Sequence, residues 1–185
     1  MGTITFITGG ARSGKSRFAE SLLSGKDDVL YLATAIGFDD EMRDRIAKHR
    51  SRRNPGWETV ECHRGFAGEL ITRLAGRRYI LLDCVTIMIN NIMVVDSDVD
   101  WNRAGMDAVD RVEQHIQREI FDFIVIARNF TGETLIVSNE IGLGLVPPTP
   151  LGRYYRDIAG KVNQLIAAES DYVYLMVSGI PVKIK

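Results

Sequence analysis

Short runs of β-branched and aromatic residues alternate along this chain with longer stretches whose apolar positions recur at helical spacing. The runs at about 3–8, 29–34, 58–62, 79–84, 134–139 and 172–178 read as strands, with a further strand at about 182–185. Between them, the stretches at about 15–24, 39–50, 64–75, 85–94, 102–128 and 151–169 read as helices. Strands regularly separated by helices form βαβ units, so the pattern predicts an α/β fold: a mostly parallel central sheet with helices on both faces. Tyr79-Ile80-Leu81-Leu82-Asp83 is almost wholly apolar, as a strand covered on both sides must be. Val94 to Trp101 is acidic and irregular, and the prolines of Val146-Pro147-Pro148-Thr149-Pro150 exclude regular helix or sheet. Both segments read as loops within one domain spanning residues 1–185.

Composition narrows the function classes without choosing among them. The chain has 185 residues, 45% of them hydrophobic and 25% charged, and a formal net charge of −1. That balance argues against nucleic acid as a partner. No apolar run approaches the roughly 20 residues needed to span a bilayer. The first strand begins at Thr3 with no charged leader before it, so a cytoplasmic enzyme is expected. Two cysteines, Cys62 and Cys84, form neither a disulfide framework nor a metal-ligand spacing.

The strongest chemical signal follows the first strand. Gly9-Gly10-Ala11-Arg12-Ser13-Gly14-Lys15-Ser16 matches G-x-x-x-x-G-K-[ST] and lies between an apolar strand and a helix, the context this motif requires. Its glycines let successive N–H groups converge on phosphate oxygens, and the helix start adds a favourable dipole. Lys15 brings a point charge to the β- and γ-phosphates, and the Ser16 hydroxyl is placed to ligate Mg²⁺. The motif therefore predicts nucleoside triphosphate binding and is silent about the acceptor.

A carboxylate is also needed at the metal. Asp83 ends an apolar strand at its carboxyl end, where open α/β sheets bind ligands. The same position also suits a helix N-cap for the segment starting at Val85. Glu140 closes another strand and precedes Gly142-Leu143-Gly144, as either a site carboxylate or a turn residue. A third feature is the segment Asp39 to Arg53, acidic at its start and basic at its end, as suits a helix macrodipole. Met42, Ile46 and His49 fall on one face of that helix. His49 therefore either continues a buried stripe or projects toward the nucleotide with Arg50 and Arg53 on its phosphates. In the second case its neutral imidazole is available as a nucleophile on phosphorus.

Taken together these segments resemble the bifunctional adenosylcobinamide kinase/adenosylcobinamide-phosphate guanylyltransferase family of cobalamin biosynthesis. The resemblance runs nearly end to end. It is carried by Gly9 to Arg17, by Tyr31-Leu32-Ala33-Thr34-Ala35, by Asp40-Glu41-Met42 leading to His49-Arg50, and by Leu81-Leu82-Asp83-Cys84-Val85-Thr86. Ser138-Asn139-Glu140-Ile141-Gly142, Gly144-Leu145-Val146-Pro147, Arg156 to Gln164 and Ser178 to Lys183 extend it. The resemblance implies a P-loop NTPase of RecA-like fold. It implies phosphorylation of adenosylcobinamide with ATP or GTP, then transfer of GMP from GTP to the phosphate through a guanylylated histidine. On this sequence the implied nucleophile is His49, and Lys48 stands where some relatives carry a second histidine. The implied GTP contacts are Gly9, Gly10, Ala11, Arg12, Ser13, Gly14, Lys15, Ser16, Ala33, Thr34, Ala35, Arg50, Ser51, Arg52, Arg53, Glu61 and Asp83. Mg²⁺ is expected at Ser16 and Asp83, and the family implies a homotrimer. The competing readings are a P-loop kinase of another small alcohol, with His49 structural, and a slow nucleotide-binding regulatory module.

Overall fold

The computed structural model describes residues 1–37 and 40–185, and all their side chains except those of Glu41, Met42, Arg45, His49 and Arg52. Phe38 and Asp39 lie outside it. Among the described residues seven strands form one sheet: β1 (Thr3–Gly9), β2 (Val29–Ala33), β3 (Glu58–Glu61), β4 (Tyr79–Asp83), β5 (Glu133–Val137), β6 (Tyr172–Val177) and β7 (Ile180–Lys183). The order across the sheet is β3-β2-β4-β5-β1-β6-β7. All neighbours are parallel except β7, which returns antiparallel beside β6. The last strand thus starts two residues earlier than the sequence pattern predicts. Its start is fixed by the tight turn at Ser178 and Gly179, both with positive φ, which seats Ile180 opposite Val177.

Helices connect the strands: α1 (Lys15–Leu22), α2 (Asp40–Arg52), α3 (Phe66–Ile71), α4 (Val85–Asn91), α5 (Met106–Asn129) and α6 (Pro150–Glu169). Alternate residues of the buried strands serve two cores. Ile4, Phe6, Leu30, Leu32, Ile80 and Leu82 pack with residues of α3 to α6 on one face. Ile7, Val29, Tyr31, Leu81 and Leu135 pack with Ala19 of α1 and with Leu23 on the other. Burial on both faces is why these strands read as continuous apolar runs rather than alternating ones. On α5 the buried positions Val109, Ile116, Ile120, Phe123, Ile124 and Ala127 recur at helical spacing, so one stripe faces the sheet. Thr149 caps α6 by accepting the Gly152 N–H at 3.2 Å, and Pro150 occupies its first turn.

One expected loop is partly helical. Beyond α4 the chain widens into a π-helical turn, Ile92–Asp96, before becoming irregular. The Met93 carbonyl, which an α-helix would engage by its own repeat, instead accepts from Ser97 Oγ at 2.5 Å and Trp101 Nε1 at 2.9 Å. Trp101 itself is buried against Tyr154 of α6. This segment therefore folds back onto the core.

Candidate active site

Strand register gathers the predicted residues along one edge of the sheet. Ala33 at the end of β2 lies level with Glu61 of β3 on one side and Asp83 of β4 on the other. Asp83 is level with Val137, which is level in turn with Ile7, two residues before the phosphate loop begins. The carboxyl ends of β1, β4, β2 and β3 thus open on the same side, the ligand-binding edge of open α/β sheets.

The phosphate loop is built mainly of backbone. Gly9, Arg12 and Gly14 have positive φ, and the Ser13 N–H bonds Gly10 O at 3.2 Å. At Gly9 a side chain is excluded, since a Cβ there would stand 2.6 Å from the Met176 carbonyl. Lys15 is buried and donates to Gly10 O at 2.7 Å. Burial lowers its pKa, an effect opposed by Cys84 and Asp83 nearby. Two distant segments brace the loop: Glu140 N–H donates to Gly9 O, and Gly179 N–H donates to Ser13 O, both at 2.9 Å. Ser13 Oγ is buried with no hydrogen-bond partner, beside backbone arranged to receive an anion. Of the two residues expected at Mg²⁺, Ser16 is the second residue of α1 and Asp83 ends β4. Among the described residues no three His, Cys, Asp or Glu side chains cluster as a metal site. A metal here would rely on this one hydroxyl, this one carboxylate and phosphate oxygens, which is how Mg²⁺ is commonly held.

Asp83 does not cap α4. The residue capping α4 is Cys84, and no side chain bonds its first turn. Asp83 Oδ2 instead accepts the Tyr31 hydroxyl at 2.8 Å. Burial first, and the carboxylate next, raise the Tyr31 pKa well above its ordinary value, so the phenol stays a donor. The Arg53 guanidinium lies 3.6 Å from the centroid of the same ring. Glu140 is a turn residue: its carboxylate accepts the Gly142 N–H at 2.7 Å. Thr34 is buried, and its hydroxyl donates to Cys84 O at 2.8 Å and accepts from Cys84 N–H at 2.9 Å. It therefore locks the end of β2 to the residue after β4. Burial pushes both Cys62 and Cys84 thiols up to about 11, so neither is a thiolate near neutral pH.

Two cavities occupy this edge. One of ≈ 550 Å³ is lined by Ala11, Arg12, Tyr31, Arg53, Asp83 and Asn139, among others. The other, of ≈ 630 Å³, runs past Thr34, Arg43, Arg50, Ser51, Glu61 and His63. Ala33, Ala35 and Ile46 line both, so the two adjoin along a trench from the phosphate loop to the end of β3. Arg50 is ion-paired with Glu61 at the far end. His49 lies in α2 between Ile46 and Arg50, and its side chain, like that of Arg52, is outside those described. Tyr31, Arg43, Asn139 and His63 line the trench without having been singled out in the sequence as site residues. Tyr31 and Asn139 lie within segments that carry the family resemblance, whereas nothing local marks the other two.

Residues 5–184 match the family described as cobinamide kinase / cobinamide phosphate guanyltransferase. The chain belongs to that family. Membership makes it a kinase and guanylyltransferase, as the motifs imply. It is 43% identical over 183 residues to the bifunctional adenosylcobalamin biosynthesis protein CobU of Salmonella typhimurium, covering 97% of this chain and 98% of that one. The bifunctional adenosylcobalamin biosynthesis protein CobP of Pseudomonas aeruginosa is 37% identical over 180 residues, covering 97% and 95%. Among solved structures, the KaiC-like protein PH0186 of Pyrococcus horikoshii superposes with a TM-score of 0.53 at 12% identity, over 94% of this chain and 70% of that one. That likeness, together with the parallel sheet, makes the fold the RecA-like P-loop type. No helix among the described residues is long and apolar enough to cross a membrane.

Proposed function

We propose that this family member carries out both steps at the trench, phosphorylating the aminopropanol hydroxyl of adenosylcobinamide and then guanylylating the product through His49. The observation that carries the reading is that the two cavities adjoin beneath α2, sharing Ala33, Ala35 and Ile46 as lining. β1 and β3 are four strand spacings apart, roughly 19 Å. A nucleotide with its β- and γ-phosphates in the loop would extend past Asp83 and Ala33 toward Arg50 and Glu61. Its α-phosphorus would then pass beneath the helix that bears His49. In the first step the acceptor oxygen attacks the γ-phosphorus of ATP or GTP, the nucleoside diphosphate leaves, and the hydroxyl proton is lost. The protonated Lys15 and the loop amides stabilise the charge on the transferring group. In the second step an imidazole nitrogen of His49 attacks the α-phosphorus of GTP, and pyrophosphate leaves into the loop. An oxygen of the cobinamide phosphate then attacks the guanylyl phosphorus, forming the new P–O bond as the P–N bond breaks and the imidazole leaves.

Mg²⁺, held by Ser16 and Asp83, would neutralise charge on the phosphate oxygens. Arg12, Arg53 and the main chain at Ala33 to Ala35 serve as nucleotide contacts, with Ser51 and Arg52 beside them on α2. The whole of residues 1–185 works as one nucleotide-binding domain in the cytoplasm. Exposed apolar side chains at Ile180 and Val182 on the edge strand β7 support assembly with further copies, a homotrimer by resemblance to the family. The deciding test is incubation with GTP labelled at the α-phosphate. The protein retains an acid-labile label, and His49→Ala abolishes it while leaving γ-phosphoryl transfer to cobinamide. Equal labelling of both proteins would remove His49 as the nucleophile.

A further inference from the structure

His63 follows β3 and lines the far part of the trench beside Glu61 and Arg50. Its Nε2 lies 2.8 Å from Oδ2 of Asp96, the last residue of the π-helical turn, and both side chains are largely buried, at 16% and 14% exposure. Arg64 Nε approaches the same carboxylate oxygen at 3.4 Å. A carboxylate can only accept here, so Nε2 carries the proton that faces it. In the neutral ring that leaves Nδ1 as an acceptor, and among the described residues it has no partner. The widened turn beyond α4 thus brings an acid from β4's side of the sheet onto a ring at the end of β3. That arrangement fixes both ring angle and tautomer, as a carboxylate does for a working histidine.

We infer, resting on the nucleotide placement above, that His63 is a positioning residue for the nucleoside end of GTP, with Nδ1 accepting a hydrogen bond from the base or ribose. Asp96 holds the ring for that contact. Gln in place of His reproduces a donor near the Nε2 position and keeps the tie to Asp96, but offers nothing at Nδ1. Asn reproduces Nδ1 and loses the tie. The test measures the GTP concentration that half-saturates α-phosphate labelling, with thermal midpoints for each protein. His63→Gln raises the half-saturating concentration roughly five- to tenfold, the value of one neutral hydrogen bond. Its midpoint and its labelling rate at saturating GTP stay near wild type. His63→Asn recovers part of the lost affinity, and Asp96→Asn weakens GTP to a smaller degree than His63→Gln. If wild type is labelled and His63→Gln half-saturates at the wild-type concentration, the role of His63 is overturned and the guanylylation reading stands. A wild-type protein that takes no label overturns both.

Discussion

At the residue scale the Tyr31–Asp83 contact has the widest consequences. One phenol, stacked on Trp57 and beneath Arg53, presents its hydroxyl to the carboxylate assigned to the metal. Tyr31→Phe keeps the stack and deletes the donor, leaving Asp83 without its protein partner. A hydrogen bond to a charged group is worth about 1.5–3 kcal/mol, so the variant loses stability of that order, measured by urea unfolding. It also weakens Mg²⁺-dependent turnover more than Mg²⁺-independent GTP binding if Asp83 holds the ion. This pairing was not legible in the sequence. The phosphate loop was, because its signal is local: glycine spacing, a strand before and a helix after. Asp83 could be placed at a strand end but not separated from a helix cap, since that depends on which donor the neighbouring strand supplies. The same limit hid His63, whose partner lies 33 residues away.

Elements followed their apolar patterns closely where packing and propensity agreed. In α5 the stripe from Val109 to Ala127 predicted a long amphipathic helix, and Phe123 is fully buried there, edge-on to Phe66 at 5.6 Å between ring centroids. Phe123→Ala removes the ring from both the sheet core and the α3 contact. The expected cost is about 3–5 kcal/mol, read as a lowered unfolding midpoint with an unchanged denaturant slope. Patterns failed where the backbone was decided by a side chain from elsewhere. The stretch after α4 looked irregular because Asp96, Asp98 and Asp100 interrupt its apolar residues; the donors from Ser97 and Trp101 to Met93 O favour a wider helical turn. The early start of β7 had a comparable origin, in the left-handed pair at Ser178 and Gly179.

For the whole molecule, alternating strands and helices predicted a parallel sheet but not its order, since any right-handed arrangement of βαβ units gives the same pattern. The order places β1 in the interior and ties its start to the far end of the chain. Asp171 accepts the Ile4 N–H at 2.8 Å and the Arg128 guanidinium at 2.9 Å. The Ile4 amide and the Arg128 charge hold its carboxyl below the usual range, with burial opposing. A depressed carboxylate stabilises the fold above its unfolded value of about 3.9 and loses that stabilisation as pH falls through the folded value. Wild type therefore exceeds Asp171→Asn by about 1 kcal/mol at neutral pH, allowing for the half-exposed setting, and the gap closes toward pH 3 in urea melts. A related dependence governs the phosphate loop. Gly179 N–H secures Ser13 O, and β6 covers the flank of β1 that bears the loop. Trimming the protein back to residue 170 would turn β1 into a bare margin open to self-association, and would free the Ser13 carbonyl that anchors the loop after β1. A chain cut at residue 170 is therefore expected to self-associate and to bind nucleotide more weakly than the full chain, as light scattering and nucleotide titration would read.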